Sequence, residues 1–396
     1  NILRLIRTGA TLERTGAMPV ILNALDAPKT IKFAARFIVW PFQFLGRKGD
    51  KSLLPAPRAL TAMGPAYIKF GQILSTRPDV VGPELAEQLR VLQDRLPPFS
   101  TSVAKQSFKL ETGLDADDVF SHFSEPVAAA SIAQVHRGKL RESGHSVAIK
   151  VLRPEIERAF QRDIDTFYFA ARLVEFVSPK SRRLKPIDVI THFDGVVQGE
   201  LDLRLESASA SEFSANIRND KGFSVPSINW SLSSRRVMTL DWADGLPMGD
   251  TDALTAAGHN LSELGDRVLH MFLSHALRDG FFHADMHQGN LKVSSNGDIV
   301  AFDFGIMGHI DEYTRRVYAE ILFGFIKRDY KRVAEVHFEA GYVPQDQNVD
   351  EFARALRAVG EPIFGMDASN ISMGRLLSYL FQVTERIGME TRTELI

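Results

Sequence analysis

His283-Ala284-Asp285-Met286-His287-Gln288-Gly289-Asn290, followed thirteen residues after that Asn by Asp303-Phe304-Gly305, decides how this chain folds. Asp285 and Asn290 lie five residues apart, and Asp303 follows the apolar run Ile299 to Phe302, a short buried-strand pattern that would hold it at a strand end. One carboxylate is thus placed to orient or deprotonate a hydroxyl. The Asn and the second carboxylate supply hard oxygen ligands for a Mg²⁺ that bridges the phosphates of ATP. Asp and Asn also favour turns, and Asp-Phe-Gly recurs by chance, so neither element speaks alone. Their order and spacing together point to phosphoryl transfer.

An ATP site also needs a cation for the phosphates. Val147-Ala148-Ile149-Lys150 supplies one on a predicted strand about 135 residues upstream of Asp285, with the apolar neighbours anchoring the strand. Ahead of it runs Pro126-Val127-Ala128-Ala129-Ala130-Ser131-Ile132-Ala133-Gln134. The small residues from Ala128 to Gln134 let backbone N–H groups approach phosphates, although alanine restricts φ and makes a stiffer loop than glycine. Without Lys150 downstream, the same alanines would read as a helix start. Met238 to Gly245 takes the hinge position, where backbone near Leu240 and Trp242 is placed to hold adenine; a buried strand ending in a turn has the same pattern.

Three further motifs narrow the class. Lys69-Phe70-Gly71-Gln72 puts Lys69 and Gln72 three residues apart, on one helix face. Glu200-Leu201-Asp202 is followed one helical turn later by Glu206, and alanines replace the usual glycines before the Lys150 strand. On these residues the chain resembles the UbiB-like atypical kinases linked to ubiquinone (coenzyme Q) biosynthesis, which carry a Lys-x-Gly-Gln motif, a Glu-x-Asp motif and an Ala-rich loop. The matching motifs run from Lys69 to Gly305. The family more often has Pro where Met286 and Gln288 stand, but neither side chain is an expected ligand.

The resemblance implies an α+β, protein-kinase-like bilobal fold with an all-helical N-terminal extension, using ATP or ADP with Mg²⁺. It implies that Glu206 pairs with Lys150 across a gap of 56 residues, which inserted helices would fill. It implies that Glu200 and Asp202 face Lys69, and that the extension covers the side where a protein acceptor would dock. The implied partners are membrane lipids, polyprenyl-phenol ubiquinone precursors and ubiquinone-biosynthesis proteins. The implied location is a membrane surface facing the cytoplasm, the inner membrane in a bacterium.

Bulk properties agree with a soluble globular composition of 396 residues and formal charge -2, which argues against a general nucleic-acid binder. With no cysteine, disulfides and thiolate-held metal centres are excluded, and an intracellular compartment fits. No run of about 18 uncharged apolar residues is present, so no transmembrane helix is expected. Residues 1 to 51 carry nine Lys or Arg against three acids, interleaved with Leu3, Ile6, Phe33, Phe37, Ile38 and Trp40. Such a segment either lies on an anionic membrane or packs on its own domain. The chain starts with Asn and stops at Thr393-Glu394-Leu395-Ile396, and both ends are expected to be trimmed.

The expected organisation is a helical extension over 1–125, a kinase-like N-lobe with inserted helices over 126–245, and a C-lobe over 246–396. Within it, strands are expected at Ala133 to Leu140 and Val147 to Leu152, joined by a turn at Ser143-Gly144-His145. Helix is expected from Pro154 to about Asn219 with a break near Ser178 to Ser181, and strands at Val225 to Ile228 and Val237 to Trp242. Competing functions are a small-molecule phosphotransferase of the aminoglycoside-kinase type, a hydrolase with a metal on His283, Asp285 and His287, and a non-catalytic nucleotide-gated scaffold for lipid precursors. The aminoglycoside type lacks the pairing of Lys69 with Glu200 and Asp202.

Overall fold

The structure, a computed structural model, describes residues 2–24, 29–75, 81–93, 98–177, 186–364, 366 and 373–389. The expected helix break at Ser178 to Ser181 and the chain end at Thr393 to Ile396 lie outside the described residues. By contacts the chain divides into two units, residues 1–211 with 226–243 and residues 212–225 with 244–396.

The first unit is built on a four-stranded antiparallel sheet in the order β1 (Phe120–Ala129), β2 (Ala133–Leu140), β3 (Ser146–Leu152), β5 (Val237–Asp241). Alternation along β3 sets its two faces. Val147, Ile149 and Val151 are buried with Ala104 and Phe108 of the helix Thr101–Thr112, so Lys150 projects from the opposite face. Gly144 takes φ of +68° in the β2–β3 connection, a conformation that costs glycine little.

Helices Pro55–Met63, Pro65–Ser75 and Pro83–Leu89 form a second core in this unit, with Leu60, Tyr67, Ile68, Leu85 and Leu89 buried together. Phe167 of the long helix Ile156–Val177 packs onto it. Prolines at the first helical position suit these starts, because the missing N–H would be unsatisfied there anyway.

The second unit contains a small sheet in the order β4 (Phe223–Ser224), β9 (Ile299–Ala301), β8 (Leu291–Val293), β6 (Leu246–Pro247). It also contains a two-stranded pair, β7 (Phe281–His283) with β10 (Met307–His309). Helices Glu312–Ile326, Tyr330–Glu339, Val349–Gly360 and Met373–Ile387 follow. Tyr330, Val333, Phe352 and Leu356 form a buried cluster among them.

Two expectations about elements are corrected. The segment before Val127 is strand from Phe120 rather than helix. Register shifts between Phe120 and His122, Phe123 and Pro126, and Pro126 and Ala128 break the two-residue alternation by which a strand is recognised. Val225 to Ile228 is not a strand either. The pairing residues are Phe223 and Ser224, on β9, and beyond Pro226, which has no N–H to give, only Ile228 forms a single bridge, to Leu240. The expected strands at Ala133 to Leu140, Val147 to Leu152 and Val237 to Trp242 are present within a residue or so of those limits.

Candidate active site

Lys150 reaches from β3 to Glu206, with Nζ donating to Oε1 at 2.6 Å. Glu206 sits in the first turn of the helix Leu203–Asn216. The side chains are 16% and 9% exposed, enough shielding for the Coulomb attraction to exceed that of a surface pair. The structure thus brings together two residues that the sequence separates by 56 positions.

The Ala-rich stretch runs from the end of β1 through the hairpin turn at residues 130–132 into β2, and is not a helix start. Ala130 N–H donates to Ala133 O at 2.8 Å and closes the turn. Ala128 and Ala130 are exposed and Ala129 half-buried, whereas Ser131, Ile132, Ala133 and Gln134 are buried. The expectation that all seven residues line a phosphate therefore narrows for Gln134, whose side chain is engaged elsewhere. Its Oε1 accepts from Phe99 N–H at 2.9 Å, its Nε2 donates to Phe99 O at 3.1 Å, and Nε2 also meets His136 Nε2 at 2.8 Å. Gln134 pins the chain at Phe99 to the sheet.

At the hinge position the backbone is already committed. Leu240 pairs with Ala148 of β3, Asp241 N–H donates to Ser227 O at 2.9 Å, and Trp242 N–H donates to Ser146 O at 3.0 Å. Adenine could not take the Trp242 N–H without breaking a sheet bond. The Trp242 ring lies 4.8 Å from the Arg137 guanidinium, a cation–π contact.

Lys69 and Gln72 share one side of the helix Pro65–Ser75. Lys69 forms an ion pair with Glu200, the two side chains being 13% and 10% exposed, and Gln72 Nε2 donates to Leu92 O at 2.8 Å. Gly71 between them has a packing reason: a Cβ there would lie 2.4 Å from Leu92 Cδ1 and 2.6 Å from Leu60 Cδ1. The expectation that Glu200 and Asp202 both face Lys69 divides. Glu200 ends the helix Pro186–Glu200, and the helical path is interrupted at Leu201 and Asp202 before the helix that starts at Leu203. Asp202 instead takes Arg204, with Nε to Oδ1 at 2.9 Å and Nη2 to Oδ2 at 2.6 Å. That hydrogen-bonded guanidinium holds the Asp202 carboxyl below its ordinary pKa.

In the second unit, the loop after β7 is stitched to itself. The Asp285 carbonyl accepts from His287 N–H at 3.0 Å and from Asn290 Nδ2 at 3.1 Å, and Asp285 N–H donates to His283 Nδ1 at 3.2 Å. Because Nδ1 accepts, His283 is the neutral tautomer with its proton on Nε2, and burial holds its pKa below the ordinary value. The Asp285 carboxylate is about half exposed and lies 3.8 Å from His287 Nε2. Leu291 pairs with Ala301 between β8 and β9, and Phe302 N–H donates to Asn290 O at 3.3 Å, which brings Asn290 and Asp303 to the same end of that hairpin.

Phe304 anchors this end. It is buried, with ring centroids 5.5 Å from Phe213 and 5.8 Å from His283. Asp303 is held half-buried beside it, Oδ1 accepting from Gly305 N–H at 3.2 Å.

The donor set suits magnesium. Since Asn290 Nδ2 is occupied by the Asp285 carbonyl, Oδ1 is the end left to a cation, and with the Asp303 carboxylate it presents hard oxygen ligands. His283, by contrast, is a core residue whose Nδ1 already accepts, and among the described residues no three His, Asp or Glu side chains converge on a metal. The metallohydrolase expectation has no geometry behind it.

One residue escaped the sequence reading. Arg153 follows the Lys150 strand by three positions, and its guanidinium donates to Ala130 O from Nε at 3.3 Å and Nη2 at 3.1 Å. Only the fold brings it to the Ala-rich turn.

A sheet whose third strand carries a Lys paired with a helix Glu, together with an Asp, an Asn and an Asp-Phe-Gly on two loops, defines the kinase-like class. Residues 91–337 match the ABC1 atypical kinase-like domain, and residues 356–396 match the UbiB helical domain. The chain belongs to this ABC1/UbiB family of atypical kinases. It is 40% identical over 343 residues to a "Probable protein kinase UbiB" of Aliivibrio fischeri, covering 85% of this chain and 63% of the relative. It is 38% identical over 381 residues to the protein of that name in Marinobacter nauticus, covering 95% of this chain and 69% of the relative. The chain thus spans less than two thirds of the length of the Aliivibrio relative. Among solved structures, the Rv3197–erythromycin complex from Mycobacterium tuberculosis matches with a TM-score of 0.54 at 23% identity, over 80% of this chain and 85% of that one, a likeness of fold.

Proposed function

We propose that the chain binds a Mg²⁺–nucleotide and acts as a phosphotransferase or ATPase supporting ubiquinone (coenzyme Q) biosynthesis at a membrane. The observation that carries this reading is the shielded Lys150–Glu206 pair at 2.6 Å. Lys150 would hold the phosphates of ATP or ADP, and Glu206 would hold Lys150 in place. The β1–β2 turn around Ala130 and Ser131 would lie against the phosphates. Asn290 Oδ1 and Asp303 would hold the magnesium, which neutralises developing phosphate charge when bound, and Asp285 would orient the acceptor hydroxyl or a water. The Lys69–Glu200 pair favours the UbiB-like reading over the aminoglycoside-kinase type, which has no such extension. ATP hydrolysis by purified protein, lost in Asp285→Asn with nucleotide binding retained, supports catalysis; hydrolysis equal in the variant assigns the turnover to a contaminant or another group.

The membrane part of the proposal rests on the N-terminal surface. Phe33, Phe37, Ile38, Trp40 and Phe44 are each more than 60% exposed, and Lys29, Lys48 and Lys51 are exposed near them in sequence. Apolar rings with flanking cations match an anionic lipid interface, where polyprenyl-phenol precursors and their biosynthetic enzymes would be met. No described helix is long and apolar enough to cross a bilayer. Flotation with phosphatidylglycerol vesicles, reduced in a Phe37→Ser/Trp40→Ser variant, is the expected result. Protein left at the bottom of the gradient with both anionic and neutral vesicles would count against it.

A further inference from the structure

We infer that Arg153 is a positioning residue for the nucleotide, fixing the Ala130–Ser131 peptide so that the Ser131 N–H is presented to a phosphate oxygen. The inference rests on the nucleotide-binding reading above and concerns which groups make that contact.

Arg153 holds the turn twice. Its backbone N–H donates to Ile132 O at 2.8 Å, and its guanidinium donates to Ala130 O through two nitrogens at 3.3 and 3.1 Å. In a planar trans peptide the carbonyl and the following N–H point in opposite directions, so capturing Ala130 O turns the Ser131 N–H away from the guanidinium. Without that hold, the Ala130–Ser131 peptide would sample several orientations and lose this preorganisation.

Arg153 is itself held. Its carbonyl accepts from Arg236 Nη2 at 3.0 Å, and Arg236 pairs with Glu157 at 3.1 Å. Its guanidinium lies 5.8 Å from the Phe99 ring, and Phe99 is bonded at both backbone groups to Gln134. A Gly-rich loop approaches phosphate by flexibility; here the turn is stiff alanine and serine, and a cation behind it sets its orientation.

The test uses the whole chain. In the wild type, residue-resolved hydrogen exchange with and without MgADP should show the Ser131 amide slowed by about tenfold or more at saturation. Affinity for MgADP is then compared in Arg153→Gln, which keeps a donor without charge, and Arg153→Leu, which keeps neither. The expected pattern is a loss of about tenfold or more in the Leu variant and recovery to within about threefold in the Gln variant. An unchanged Ser131 amide on MgADP binding overturns the inference, even should the Leu variant fail to fold. Unchanged affinity in the Leu variant, or equal losses in both, overturns it as well, the latter because charge alone would then act. If the wild type binds no nucleotide, the proposed function falls together with it; if it binds and the Arg153 pattern fails, only this inference falls.

Discussion

Lys150 and Glu206 meet at 2.6 Å although the helices Ile156–Val177 and Pro186–Glu200 lie between them in the chain. Burying an ion pair this far requires both partners, because a lone charge at the site keeps its desolvation cost and loses the attraction. Glu206→Gln and Lys150→Met are therefore each expected to destabilise the protein by roughly 3 kcal/mol. The Lys150→Met/Glu206→Gln double variant should lose less than the sum of the single changes. Denaturant unfolding of the four proteins measures the coupling, and strict additivity would mean the pair contributes nothing as a pair.

Gly71 offers a test of packing rather than charge. A Cβ there meets the ends of Leu60 and Leu92, both buried, so Gly71→Ala should cost about 1 to 3 kcal/mol by overpacking. Pairing it with Leu92→Ala, which opens the space, should recover part of the loss. A melting temperature that stays at the wild-type value in Gly71→Ala would show that the helix Pro65–Ser75 can shift at no cost.

Much of this was legible in the sequence because it rests on local pattern. Val147 to Lys150 alternates cleanly, so the face of β3 that carries Lys150 could be foreseen, and the order of Asp285, Asn290 and Asp303 announces the class. Other features depend on partners that no spacing reveals. Asp202 has the same sequence signal as Glu200, but the helix ends at Glu200 and Arg204 takes the Asp202 carboxylate. Gln134 looked like a loop residue until Phe99, 35 positions earlier, claimed its amide. Arg153 carried no signal at all, since its role comes from the β1–β2 turn folding back beside the end of β3.

His136 predicts a pH dependence. It is fully buried, meeting Ser124 O through Nδ1 at 2.8 Å and Gln134 Nε2 through Nε2 at 2.8 Å, and burial lowers its pKa from 6.5. Below pH 6.5 the unfolded chain then binds a proton that the folded one refuses. The stability contributed by neutral His136 is complete above 6.5 and is lost as pH falls through the depressed folded value. His275, His283 and His337 are shifted the same way by burial and add to the effect. Melting temperatures should fall between pH 7 and 5, with the His136 imidazole resonances titrating at a lower pH in the folded protein than in the unfolded chain. A ring that titrates at the same pH or higher in the folded protein would contradict the assignment.

The Lys69–Glu200 pair should act as a local clasp on the helix Pro65–Ser75. Lys69→Ala leaves a carboxylate that is 10% exposed without its cation, and hydrogen exchange across Pro65–Ser75 and Pro186–Glu200 should speed up, while the β1–β2–β3–β5 sheet is unchanged. The charge-swapped Lys69→Glu/Glu200→Lys protein should recover protection. Uniform acceleration over the whole chain in Lys69→Ala would instead signal global unfolding.

The proposed magnesium-dependent binding of nucleotide, with Asn290 and Asp303 as the cation's ligands, is put to the test by calorimetric titration of ADP into the wild type and Asp303→Asn, each with Mg²⁺ and with EDTA. Wild-type binding should weaken by about tenfold or more when magnesium is chelated, and binding by Asp303→Asn should no longer respond to magnesium. No binding by the wild type, or the same magnesium response in both proteins, would contradict it.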